Sequence, residues 1–125
     1  MTAAAPASLV ALARRWLDCF ERADLEGLLA LYAEDALHTS PKIRVLHPET
    51  GGQLVGKPAL RAWWQGAFAR LPGLRYQERT LTAQGTRVFM EYLRHAPGEP
   101  DLPVAEVLEV DAGSGKIVAS RVYHG

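Results

Sequence analysis

Apolar positions follow a helical period in the first half of the chain and a strand period in the second. Leu9, Leu12, Ala13, Trp16 and Phe20 stand at i, i+3, i+4, i+7 and i+11, one face of an amphipathic helix. Asp24 is placed to cap a second helix with Leu25, Leu28, Leu29 and Tyr32 on its stripe and Glu34 and Asp35 at its close. "ALHTSP" then reads as a short strand ended by Pro41. Residues 42–56 carry the weakest pattern: "KIRVLH" has a strand's composition, and "PETGG" is a turn. Gly56-Lys57-Pro58 opens a third helix with Leu60, Trp63, Trp64, Ala67 and Leu71 on its stripe, and "LPG" stops it. Residues 75–83, 88–94, 104–110 and 116–123 read as four strands joined by "QGT", "APGEPDLP" and "DAGSGK". Helices followed by a strand meander predict an α+β fold with helices on one face of a mainly antiparallel sheet.

At 125 residues the chain suits a single domain, 1–125, whose first seven residues read as a disordered tip. The formal net charge of zero gives no electrostatic case for nucleic acid or an anionic membrane. No apolar run approaches the ~20 residues of a membrane helix. The N-terminus superficially resembles a signal peptide, but Arg14 and Arg15 follow its apolar part instead of preceding it. The single cysteine, Cys19, excludes an internal disulfide and fits a reducing, cytoplasmic setting.

The strand pattern exposes an oddity. In "PVAEVLEV", Val104, Glu106, Leu108 and Val110 share one face, so a glutamate sits among apolar neighbours. In "FMEYL", Glu91 shares a face with Phe89 and Leu93 in the same way. Buried carboxylates are unfavourable unless paired, hydrogen-bonded or protonated.

"ADLEGLLALYAEDALHTSP", "GKPALRAWW" and the closing "GKIVASRVYHG" resemble the SnoaL-like, nuclear-transport-factor-2-like superfamily over nearly the whole chain. The resemblance implies a cone: three N-terminal helices packed on a curved sheet around an apolar pocket. The superfamily includes ketosteroid isomerases, polyketide cyclases, epoxide hydrolases, dehydratases and non-catalytic binding modules, many of them dimeric through the outer sheet face. In the isomerase pattern the catalytic base falls on Ser40, the oxyanion-hole tyrosine on Trp16 and a supporting tyrosine on Trp64. Tyr32 is kept, and the oxyanion-hole acid falls on Glu106 with one residue inserted in the following turn. Ketosteroid isomerisation itself is therefore not expected. Hydrolase members use two acids with an arginine between them, for which Arg121 is the available candidate. Cyclase members rely on a sheet acid near a histidine or water, compatible with Glu106 and His38.

The expected catalytic set is Glu106, Glu91 and His38. The "HAPGEPDLP" hairpin puts Glu91 opposite either Glu106 or Val107. The first register places two carboxyls on one face, where one pKa must rise. The second separates them. His38 is a candidate second base. Ser40 lacks a nucleophile elbow and suits a cap, or a hydrogen bond to a ligand. The ligand-binding set is Trp16, Tyr32, Ser40, Trp64, Phe68, Phe89, Ser120, Val122 and His124, suited to a small apolar, ring-bearing molecule. Trp63 reads as core or interface. No metal is expected: the histidines have no metal-binding spacing, and a set of His38, Glu91 and Glu106 would have to form in space. No organic cofactor is expected either, since "GSGK" lies in a hairpin and not before a helix. Met90, Tyr92, Ala105 and Val107 form the opposite sheet face, for which a homodimer is the natural cover. These residues predict an acid–base enzyme of isomerase, cyclase, dehydratase or hydrolase type, or alternatively a non-catalytic dimeric carrier.

Overall fold

Pro6 sits in the first turn of α1 (Pro6–Glu21), where its missing N–H leaves no intrahelical bond undone. A computed structural model of the chain describes residues 5–124. The helix-period positions Leu9, Leu12, Ala13, Trp16 and Phe20 are all buried. Pro6 and Ala7, expected in a disordered tip, are thus helical, while residues 1–4 of that tip lie outside the described residues.

Asp24 caps α2 (Leu25–Ala30) as expected, accepting from the Gly27 N–H at 2.9 Å. That helix ends before Tyr32, because the Leu31 carbonyl accepts from the Ile117 N–H at 2.9 Å and draws the chain into the sheet. Tyr32, Glu34 and Asp35 therefore belong to β1 (Tyr32–Thr39) and not to the helix.

"KIRVLH" corrects the reading more sharply. It forms α3 (Pro41–Leu46), a fourth helix. Ser40 caps it by accepting from the Lys42 N–H at 3.2 Å, and Pro41 fills its first turn. A good cap followed by proline outweighs the strand preference of Ile43 and Val45. One 3₁₀ turn and the left-handed Gly51 lead into the short β2 (Gln53–Val55). Gly56, at φ 90°, turns the chain into α4 (Lys57–Arg70).

The meander follows as β3 (Arg75–Gln84), β4 (Arg87–His95), β5 (Leu102–Val110) and β6 (Ile117–His124). Strand order is β2-β1-β6-β5-β4-β3. Only β1 and β6 run parallel; the other neighbours are antiparallel. Irregularities at Glu78/Thr80, Glu109/Val110 and Tyr32/Leu37 bend an otherwise regular sheet. The architecture is α+β and cone-like, with α1, α2 and α4 packing an apolar core against the inner sheet face.

Register settles which residues face that core. Met90 pairs with Glu106 and Glu91 with Ala105, so Glu91 stands opposite neither Glu106 nor Val107. The turn centres on Gly98, at φ 79°, with the Glu99 N–H bonded to the Ala96 carbonyl at 3.0 Å. Val88, Met90, Tyr92 and Arg94 consequently face inward, and Phe89, Glu91 and Leu93 outward. This reverses the expected faces of β4 while leaving Glu106 inside and Ala105 and Val107 outside.

Candidate functional site

Glu106 lies in the middle of β5, between Val104 and Leu108 on the inner face. Its cross-strand partners are Met90 and Val122. Only 1% of it is exposed. One carboxyl oxygen, Oε1, accepts from the Tyr92 hydroxyl at 2.8 Å, while Oε2 has no partner. Among the described residues no cation pairs with it and no second carboxylate stands beside it. Burial pushes its pKa up to about 8, with the Tyr92 bond opposing that rise. Burial, reinforced by the Glu106 charge, also raises the Tyr92 and Tyr76 hydroxyls. Glu106 is thus a carboxylic acid that keeps its proton at neutral pH, with desolvation and not a second acid as the cause.

A second polar group lies across the interior. Trp16 Nε1–H donates to the Tyr32 hydroxyl at 3.0 Å, and Tyr32 donates to Ser120 Oγ at 2.9 Å. Ser120 Oγ meets His38 Nδ1 at 2.6 Å. The indole can only donate, so the protons run in one direction along this chain. Ser120 Oγ can give its own proton to Nδ1 or accept one from it, so this contact holds the imidazole in place in either tautomer. Burial pulls the His38 pKa down to about 4, against a hydrogen bond to the Ser120 backbone, so the imidazole is neutral at pH 7. His38 is therefore a hydrogen-bond donor and a poor base.

A cavity of about 410 Å³ opens between these groups and α1, α3 and α4. Its wall includes Glu106, Tyr92, His38, Trp16, Trp64, Phe20, Tyr76 and Val122, with Ser40, Lys42, Arg70, Arg94, Glu99 and His124 adding polar groups. Trp16, Phe20, Tyr76 and Tyr92 pack on one another with centroid separations of 4.4 to 5.8 Å.

The cavity gathers Glu106, His38, Trp16, Ser40, Trp64, Val122 and His124 of the expected set. Tyr32 and Ser120 lie behind its wall as the relay to His38. Phe68 packs on Phe20, 5.5 Å between centroids, and does not line it. Phe89 and Glu91 are corrected outright, since both point out of the sheet. Glu91 accepts from Thr80 Oγ1 at the surface, at 2.6 Å. With Glu91 outside, the set weighed for a metal does not converge, and no cluster of three His, Cys, Asp or Glu forms among the described residues. Arg121 is likewise diverted, paired with Glu109 at 2.7 Å. The sequence reading missed Tyr92, Tyr76, Arg94 and Trp63 as cavity residues. For β4 the signal was present: Val88, Met90, Tyr92 and Arg94 alternate as regularly as the odd-numbered set.

A family model described as a SnoaL-like domain matches residues 13–120. No curated protein matches the sequence. Among solved structures, the chain is similar to a SnoaL-like protein of unknown function from Burkholderia thailandensis, with 22% identity, 98% of each chain covered and a TM-score of 0.85. It is also similar to a provisionally named ketosteroid isomerase from Kribbella flavida, with 21% identity, 96% and 79% coverage and a TM-score of 0.76. A provisionally named polyketide cyclase from Sinorhizobium meliloti gives 16% identity, 90% and 94% coverage and a TM-score of 0.74. At these identities the likeness concerns the fold. Among the described residues no helix is long and apolar enough to cross a membrane.

Proposed function

The chain belongs to the SnoaL-like domain family, and from that premise we propose that it is a small-molecule enzyme using acid–base chemistry in the cavity. The observation that supports this most is the unpartnered Oε2 of Glu106, a buried acid in the wall of an apolar, aromatic-rich space. At pH 7 a group with a pKa of about 8 is roughly nine-tenths protonated, with an ionised fraction still large enough to accept a proton. Glu106 would give its proton to a substrate atom and take one back. The Tyr92 hydroxyl would steady the carboxylate formed in between. His38, neutral, would in its Nε2–H tautomer donate to a substrate oxygen that gains negative charge. The substrate class is a ring-bearing, largely apolar molecule, and the reaction an isomerisation, cyclisation, dehydration or hydrolysis. Glu91 has no place in this chemistry.

The outer sheet face supports a homodimer: Phe89 is 36% and Tyr123 54% exposed there, beside the half-buried Val107 and Leu93. The buried free thiol of Cys19 suits a cytoplasmic protein.

Ser40 favours a second reading, a dimeric binding module without chemistry. It falls where the isomerase pattern puts its base, but its hydroxyl is engaged in capping α3. A panel of cyclic ketones and hydroxyketones separates the two. An enzyme turns over at least one of them, and Glu106→Gln lowers kcat by about 10²- to 10⁴-fold. Binding without turnover across the panel supports the carrier, and turnover untouched by Glu106→Gln removes Glu106 from the mechanism.

A further inference from the structure

The charges lining the cavity are unequally divided. Lys42, Arg70 and Arg94 bring cations to it, whereas Glu99 is the one acid besides the buried Glu106. Arg94 is itself buried, unusual for a guanidinium. One of its N–H groups meets Glu99 Oε1 at 2.8 Å and the Tyr76 hydroxyl lies beside it, and among the described residues no second carboxylate takes its other donors. Glu99, by contrast, is 41% exposed at its side chain, so solvent competes for this partner of Arg94. Lys42, at the start of α3, is half-buried and has no ion pair among the described residues. The fields of Lys42 and Arg94 converge at the mouth. Both help hold His124 below its ordinary range, after burial, and Lys42 adds to the larger effect of Arg94 in lowering Glu99.

This cationic mouth is separate from the acid. Arg94 lies four residues along β4 from Met90, the residue level with Glu106, which is about 13 Å at the rise of a strand. Between them on the inner face stand Tyr92 and its cross-strand partner Val104, while Tyr76 is level with Arg94.

The geometry points to a ring-bearing carboxylate as ligand, with its apolar body among Trp16, Trp64 and Tyr92 and its carboxylate on Arg94 and Lys42 at the mouth. This rests on the reading of the cavity as the substrate site. A planar carboxylate can take two parallel N–H groups of one guanidinium, replacing Glu99 as partner. Binding so oriented places the far end of the ring system toward Glu106.

Isothermal titration with 2-naphthoate and its neutral counterpart 2-naphthamide tests the inference. The acid is expected to bind at least about tenfold more tightly, the effect of one charge-assisted contact. Arg94→Gln and Lys42→Gln should each remove most of that preference while leaving the amide's affinity unchanged. Should Arg94→Gln fail to fold, Lys42→Gln still decides. An amide bound as tightly as the acid, or a preference that survives in the folded variants, overturns the carboxylate assignment and leaves the substrate site standing. If neither compound binds at millimolar concentration, the substrate-site reading falls and this inference falls with it.

Discussion

Replacing Glu106 by glutamine should change how stability depends on pH, and the size of the change follows from its surroundings. A glutamate ordinarily titrates near 4.5, and burial pushes Glu106 up to about 8. Below 4.5 the folded and unfolded chains both hold the proton, so burial of the acid brings no charge penalty. Above that value the unfolded chain releases it while the folded chain retains it. Stability therefore falls with rising pH until Glu106 itself ionises. At 1.36 kcal/mol per pH unit, the full loss is about 5 kcal/mol. His38 acts in the opposite sense. Lowered from 6.5 to about 4, it contributes fully above 6.5, and that contribution is lost as pH falls toward 4. The two slopes oppose each other between 4.5 and 6.5, leaving 6.5 to 8 as the window in which Glu106 dominates. Across that window the wild-type chain should lose about 2 kcal/mol. Urea denaturation at half-unit pH steps measures it. Glu106→Gln should flatten the curve, and Glu91→Gln, altering a surface carboxyl, should leave the slope as it is. A wild-type curve already flat there, or a slope that persists in Glu106→Gln, would refute the reasoning.

Tyr92→Phe removes the only hydrogen bond that the described residues give the Glu106 carboxyl, one that opposes its raised pKa. The alkaline end of the same stability curve should move to higher pH, and urea denaturation should show a loss of about 1–3 kcal/mol at pH 6. Ser120→Ala interrupts the relay between Tyr32 and His38, leaving the Tyr32 proton without its acceptor and His38 Nδ1 without its side-chain partner. A destabilisation of about 2 kcal/mol or more is expected in urea, and a loss below 0.5 kcal/mol would show that the relay contributes little. Phe89→Lys places a charge on the outer sheet face, so sedimentation velocity should show a dimer in wild type and a monomer in the variant.

Much of the fold is legible from period alone. The α1 face and the Asp24 cap follow from side-chain spacing and chemistry that act locally. So does the proline-led start of α4. "KIRVLH" misleads because its β-branched residues suggest a strand, while the decisive signal is the Ser40-Pro41 pair just before it. The site is legible only in part, because a period of two finds faces without saying which one is inside. On β5 the alternates Ala105, Val107 and Glu109 are mostly apolar as well, so neither face stands out, yet Glu106 is placed correctly. On β4, Phe89 and Leu93 made the odd-numbered face look like core. Packing of Met90 and Tyr92 against α1, set by a turn centred on Gly98, decided otherwise. That shift of register separates the two glutamates and changes the cause of the raised Glu106 pKa from charge repulsion to desolvation. The relay from Trp16 to His38 joins residues far apart in the chain, and no local pattern announces it.

Whether Glu106 holds its proton at neutral pH can be read directly from the carbon-13 resonance of its side-chain carboxyl, assigned by its absence in Glu106→Gln. A midpoint near 8, moved when 2-naphthamide occupies the cavity, is the predicted result. A midpoint in the ordinary glutamate range near 4.5, unaffected by the compound, would contradict it.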